Sequence, residues 1–231
     1  MSAAQPTPPT EPSEPRRKDG IDARVVLAIV VVLAIVGGVI LLTVGKGSSQ
    51  SRARSAGVVK PSIFSGSEAS PPAPAPPLAL RNYKGEPVNI AKYRGKAVLV
   101  TFIYTHCPDV CPLITANLRV AQALLGPAAS KAQIIAVSVD SRGDTPKTVA
   151  SFLAAHEMTG RMQYLIGSTP ELARVWKAWG VGSERDAQHP DLVEHTGLVY
   201  GISASGEVTT LYAGNLKLAE IAHDVPLLAS R

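Results

Sequence analysis

The sequence predicts an α/β domain, a central mixed sheet with flanking helices, preceded by one transmembrane helix. Three observations predict it. Residues 25–44 read VVLAIVVVLAIVGGVILLTV, with no charge and no proline between Arg24 and Lys46. Residues 97–104 and 133–139 are continuous apolar, β-branched runs, the mark of strands buried on both faces. Segments with helix starts and stops alternate with those runs, which is the pattern of crossover helices packed over a sheet.

The elements follow in order. Residues 1–24 are rich in Pro, Ser, Thr and Glu and carry little that is apolar; such a composition cannot bury enough surface to fold and predicts a disordered, cytoplasmic tail. At about 1.5 Å per residue, the 25–44 stretch is as long as a bilayer core is thick, about 30 Å. A cleaved signal has an apolar stretch of only about 7–15 residues and a small-residue cleavage site behind it. Here Gly45-Lys46-Gly47-Ser48 follows, which favours a retained anchor. Arg16, Arg17, Lys18 and Arg24 before the span balance Lys46, Arg52, Arg54 and Lys60 after it, so the positive-inside count does not orient it. An inside N-terminus is expected because a single early span followed by a large domain is the usual exporting arrangement. Residues 45–77 are Gly/Ser rich and end in the run PPAPAPP, expected as an extended polyproline II spacer. The domain is then 78–231, on the extracytoplasmic side of a cell membrane.

Within the domain, 86–90 is expected as a short strand of an entry hairpin, and 97–104 as a buried strand. The following helix, 113–125, stops at Gly126-Pro127. The second buried strand is 133–139. A helix over 145–156 has Thr145 as its cap and Pro146 at its first position. A short strand at 162–166 precedes a helix over 170–179 capped by Thr169. Residues 197–203 and 207–212 form a hairpin around Ala204-Ser205-Gly206. A last helix over 215–228 is expected to break at Pro226.

Charge excludes one class of partner. The chain has 231 residues and a net charge of +5, but residues 1–60 hold 8 basic and 4 acidic side chains against 15 and 14 in the rest. With no basic excess in the domain and 5% aromatic residues, nucleic acid is not expected as a partner. Two cysteines exclude a disulfide-dense scaffold, an iron–sulfur protein and a four-cysteine zinc module.

Those two cysteines lie in Thr105-His106-Cys107-Pro108-Asp109-Val110-Cys111-Pro112, at the carboxyl end of a predicted buried strand, where α/β sheets place sites. A helix N-terminus stabilises anions, so a thiolate there is favoured. Cysteines four residues apart share one face of a helix and can form a disulfide or hold one ion. Two thiolates suit a soft ion such as Cu(I). Of five histidines, His156 and His223 read as surface or packing residues and His106 as a neighbour of Cys107. His189 lies in a loop before Pro190. His195, in Val193-Glu194-His195-Thr196, precedes a strand whose loop should return near the cysteine helix.

Three strings, GKAVLVTFIYTHCPDVCP (residues 95–112), VSVDSRGDTP (137–146) and VEHTGLVY (193–200), resemble the SCO/SenC family of thioredoxin-like copper chaperones for cytochrome c oxidase assembly. The resemblance spans roughly residues 80–228. It implies a thioredoxin-like fold, copper as Cu(I) and in some members Cu(II), and Cys107, Cys111 and His195 as ligands. The implied partner is cytochrome c oxidase subunit II, whose copper A site would receive copper or electrons, or another copper protein. Asp140 matches an acidic residue near the family's metal site that is linked to partner interaction; His106 and Asp109 are expected to flank the ligands. The chain departs from the family's D-P-E-R-D-T at Asp140-Ser141-Arg142-Gly143-Asp144-Thr145, and from its Ile-Asp type turn at 201–206.

Two functions follow as expectations. In the first, a membrane-anchored chaperone carries copper on two thiolates and one imidazole, and only the reduced pair binds. In the second, an extracytoplasmic thiol–disulfide reductase uses Cys107 as the attacking thiolate and Cys111 as the resolving one. Against a general reductase stand the C-x3-C spacing and the lack of a proline directly before residue 197, where thioredoxins dock substrate against a cis-proline. A peroxidase of the same broad fold is disfavoured, because the motif lacks the Arg and Thr around a lone cysteine that peroxide attack needs.

Overall fold

A computed structural model of the chain describes residues 62–231 apart from 186, 187, 190, 191 and 216, together with Arg24, Leu27 and Val31, which are helical and exposed. The chain divides into two units, 1–60 and 61–231. The expected tail and most of the 25–44 stretch lie outside the described residues; among the described residues no helix is long and apolar enough to cross a membrane.

The second unit is an eight-stranded sheet with helices on both faces. Its strands are β1 (Ser67–Pro74), β2 (Ala79–Asn82), β3 (Pro87–Asn89), β4 (Ala97–Ile103), β5 (Ala132–Ser138), β6 (Met162–Ile166), β9 (Leu198–Ile202) and β10 (Glu207–Ala213), in the order β1-β10-β9-β4-β5-β6-β2-β3. β4, β5 and β6 run parallel and every other pair is antiparallel. Every residue of β4 is buried, as its unbroken apolar run requires of a central strand. β7 (Ser183–Arg185) and β8 (Val193–His195) form a separate two-stranded sheet.

The helices are α1 (Val110–Leu124), α2 (Pro146–Ala155), α3 (Thr169–Trp179) and α4 (Leu218–Ala229). α1 packs against α4, and α4 against β4 and β9. Alternate residues of β9 face opposite layers. The Tyr200 ring meets Trp179 of α3 edge-on at 5.3 Å, while a side chain at Gly201 would meet Leu228 of α4. Leu118 of α1, Leu153 of α2, Leu172 of α3 and Ile221 of α4 are fully buried, so each helix contributes its apolar stripe to one core.

Several expectations shift. The spacer does not extend to residue 77, because Ser67–Pro74 is the edge strand β1, paired with β10. Its ladder is interrupted between Glu68 and Ala73, where Pro71 and Pro72 stand; a proline lacks the N–H that a ladder needs and is tolerated only at edges and bulges. α1 starts at Val110, three residues before the expected position. Ser168, rather than Thr169, caps α3: its hydroxyl and backbone N–H meet the Glu171 carboxylate in a capping box. α2 is capped by Thr145 with Pro146 in its first turn. α4 continues through Pro226. Tertiary bonds hold its end, since Ala204 N–H donates to the Leu228 carbonyl at 2.9 Å and Ser205 N–H to that of Arg231 at 2.7 Å.

Candidate functional site

The cysteine loop leaves β4 at the carboxyl end of the parallel strands. Its first turn closes when Cys107 N–H donates to the Tyr104 carbonyl at 3.4 Å. Asp109 has φ −133° and ψ −86°, which is not helical, so Cys107 lies outside α1 and Cys111 lies in its first turn. The two sulfurs therefore do not meet as helical neighbours. Cys107 instead caps the helix: its sulfur accepts the Cys111 backbone N–H at 3.5 Å. Both cysteines are free and buried.

β8 brings the imidazole. His195 Nε2 stands 3.5 Å from Cys111 Sγ, across a sequence separation of 84. Its Nδ1 lies 3.4 Å from the Thr196 carbonyl, and its Nε2 faces the sulfur. The ring also meets Tyr104 edge-on, with centroids 5.7 Å apart. Among the described residues no three His, Cys, Asp or Glu side chains already enclose a point where a metal ion could sit. The imidazole and the Cys111 sulfur are nevertheless at the separation of two ligands on one ion. Bonds of about 2.3 Å to sulfur and about 2.0 Å to nitrogen put such a pair about 3.5–3.7 Å apart.

The electrostatics separate the two thiols. The hydrogen bond from Cys111 lowers Cys107 most; burial opposes it, while His195 and the backbone N–H groups of Asp109 and Cys111 lower it further. The result brings Cys107 down to about 3, so it is a thiolate at neutral pH. Pairing with that thiolate and burial push Cys111 far up. One sulfur is charged and the other retains its proton, as in a nucleophile with a resolving partner.

The flanking residues fall into different places. His106 is exposed, with Nδ1 3.2 Å from Thr105 Oγ1. Asp109 is exposed, and its side chain makes no cap bond. Asp140 is 4% exposed and turns inward, where Arg185 of β7 donates to its Oδ1 at 2.5 Å. Burial raises Asp140, but backbone N–H groups of Gly143 and Arg142 and the Arg185 guanidinium outweigh it and the carboxyl is held low. His156 packs on Phe152 at 4.5 Å and His223 binds Asp224 at 2.7 Å.

Sequence reasoning passed over Asp144 and Tyr104. The Asp144 carboxylate is buried and accepts four bonds: Thr105 N–H and Oγ1 at 2.8 Å each, Ser138 Oγ at 2.6 Å and Tyr164 Oη at 2.9 Å. It ties the cysteine loop to the end of β5 and the middle of β6. Tyr104 Oη accepts the Val193 N–H at 3.3 Å, hanging β8 from the end of β4. An acidic residue directly before the Thr145-Pro146 helix start was the available signal for Asp144; nothing local marks Tyr104.

A family model described as SCO1/SenC matches residues 67–230. A curated relative, the mouse mitochondrial SCO1 homologue, is 27% identical over 154 residues, which is 64% of this chain and 54% of the relative; the chain thus spans about half the length of that relative. Bradyrhizobium japonicum ScoI with copper bound is 28% identical with a TM-score of 0.60, covering 68% of this chain and 99% of that one. BsSco, described as having a disulfide switch and as a member of the Sco family of cytochrome c oxidase assembly proteins, is 26% identical with a TM-score of 0.58, covering 69% of this chain and 95% of that one. The described domain thus has the thioredoxin-like fold of its Sco neighbours, and the chain belongs to the SCO1/SenC family.

Proposed function

We propose that this chain is a copper metallochaperone, binding one copper ion through the sulfurs of Cys107 and Cys111 and the Nε2 of His195. The observation that carries the reading is the 3.5 Å approach of His195 Nε2 to Cys111 Sγ. A soft ion suits two sulfurs. Cys107 is already ionised, and the ion replaces the Cys111 proton, which leaves to solvent. The copper-bound relative and the oxidase-assembly description of a second support passing the ion to the copper A site of cytochrome c oxidase subunit II, or to another copper protein. The apolar 25–44 stretch would anchor the chain with its domain on the extracytoplasmic side.

The test is Cu(I) titration of the reduced full chain in mild detergent. One copper per chain is expected, with affinity falling at least about 10-fold in His195→Ala. Equal binding by both proteins removes His195 from the site.

A second reading rests on the split between the two thiols. A dithiol whose first member is a thiolate can attack a partner's disulfide; Cys111 then resolves the mixed disulfide. Two electrons pass to the partner, whose two sulfurs leave as thiols, and a Cys107–Cys111 disulfide remains. Turnover of an insulin disulfide at a thioredoxin-like rate, with no tight Cu(I) binding, would favour this reading over the first.

A further inference from the structure

The two sulfurs and the imidazole come from different elements, and the β7–β8 hairpin that carries His195 has no ladder with the main sheet. Three of its ties to the body are side-chain bonds. Ser183 Oγ donates to the Val139 carbonyl at 2.9 Å. Val193 N–H donates to Tyr104 Oη at 3.3 Å. Arg185 Nη2 donates to Asp140 Oδ1 at 2.5 Å, and this is the charged tie of the three. Asp140 in turn belongs to the loop between β5 and α2, which is bonded to the cysteine loop. Its backbone carbonyl accepts Asp144 N–H at 3.0 Å, and the Asp144 carboxylate accepts the backbone N–H of Thr105, two residues before Cys107. The loop passes close over Asp140, since a Cβ at Gly143 would collide with Asp140 Oδ2. A continuous path of bonds thus runs from the histidine hairpin through Arg185, Asp140, Asp144 and Thr105 to the cysteine loop.

We propose that Arg185 is a positioning residue: its ion pair with Asp140 sets the separation between the hairpin and the cysteine loop at which His195 and Cys111 share one ion. The proposal rests on the copper-site reading above for its functional consequence, but not for its geometry. Asp140 is the fixed end, buried and held by the Arg142 N–H at 3.1 Å. Arg185, with its side chain 31% exposed, is the movable end. Without the guanidinium, Ser183 and Val193 still hold the hairpin, but each by a single neutral bond. Lysine keeps the charge with a shorter reach and without the planar fork.

The test uses the reduced full chain in mild detergent, with Cu(I) competed against a colorimetric chelator. Arg185→Ala should weaken Cu(I) binding about 10- to 100-fold, as loss of a group that orients a ligand does. Arg185→Lys should recover part of the loss, and Arg185→Ala should add nothing once His195→Ala is present. A merely structural contribution would add in full to His195→Ala. Wild-type affinity in Arg185→Ala, or full additivity, overturns the proposal. A second readout needs no metal: the nuclear Overhauser contact between the His195 ring and the Cys111 β-protons should be present in the wild type and lost in Arg185→Ala. If that contact survives the substitution, the strut is refuted whatever copper does. If the wild type takes up no copper while the contact is lost in the variant, the copper reading fails and the strut stands. Should Arg185→Ala not fold, the near-isosteric Asp140→Asn is read by the same two measurements.

Discussion

Cys107 and Cys111 differ only in where the helix begins, and that difference sets their chemistry. Cys107 sits ahead of α1 and takes the Cys111 N–H, so its thiolate is stabilised. A thiol lowered in the folded state binds fewer protons there than in the unfolded chain, so its contribution to stability rises with pH between about 3 and the free-thiol value of about 8.5. That contribution is complete above the upper limit and is lost as acid returns the proton. The reduced protein should therefore exceed Cys107→Ser in urea midpoint by more at pH 8 than at pH 5; an equal gap at both pH values would show that the thiolate is not favoured by the fold. Asp144 acts by a different route. Tyr164→Phe removes one of its four donors, and the carboxylate is too buried for water to replace it. The loss should cost about 1–3 kcal/mol in urea unfolding and leave the secondary structure by circular dichroism unchanged. The cysteines were legible in the sequence because both fall in one short string. Asp144 was not, because its four partners lie at positions 105, 138 and 164, and no local pattern connects those positions.

At the scale of elements, strands with a continuous apolar run and helices with a start signal were legible, whereas paired edges were not. β4 and β5 show in composition alone, since burial on both faces leaves no polar alternation. β1 does not. Its prolines favour an extended chain in either setting, and only β10 decides that the extended chain becomes a strand. The lock is Asp224 in α4, whose two carboxylate oxygens accept the backbone N–H groups of Ser65 and Gly66 at 2.8 Å each and whose Oδ2 also accepts Tyr212 Oη at 3.0 Å. Gly66 lies against the Tyr212 ring so closely that a Cβ there would overlap it. Asp224→Asn and Gly66→Ala should each speed amide hydrogen exchange at Ser67 and Glu68 and at their β10 partners Thr210 and Leu211. They should leave β4 and β5 protected. Unchanged exchange along β1 would show that the strand holds without the lock. β7 and β8 were missed for a related reason: strands of three residues carry too short a pattern to distinguish from loop.

For the whole molecule, the boundary matters more than any single contact. A domain taken to start at Leu78 discards β1, the buried Phe64 and both backbone donors to Asp224. It leaves a buried carboxylate short of two donors and exposes the N–H and C=O row of β10 as an unpaired edge, which invites association. A chain beginning at residue 78 should melt several degrees below one beginning at residue 62, since about 1 kcal/mol moves the midpoint of a domain of this size by about 2–4 °C. It should also aggregate more readily at equal concentration. Equal melting temperatures would place the true boundary at Leu78.

By itself the sequence determined which segments are buried, which turns start and end the helices, and that two thiols lie beside a helix start, because these depend on residue type and near neighbours. Tertiary structure alone decided that His195 reaches Cys111, that Cys107 rather than Cys111 takes the charge, that Asp140 faces Arg185, and that a proline-rich approach becomes the edge strand. The contacts of His195, Asp140 and the edge strand depend on groups tens of residues apart being brought within a few ångströms, and the energy that brings them together is the burial of the common core between the layers, to which no local stretch of sequence has access; the Cys107 charge depends on where the backbone turns into α1.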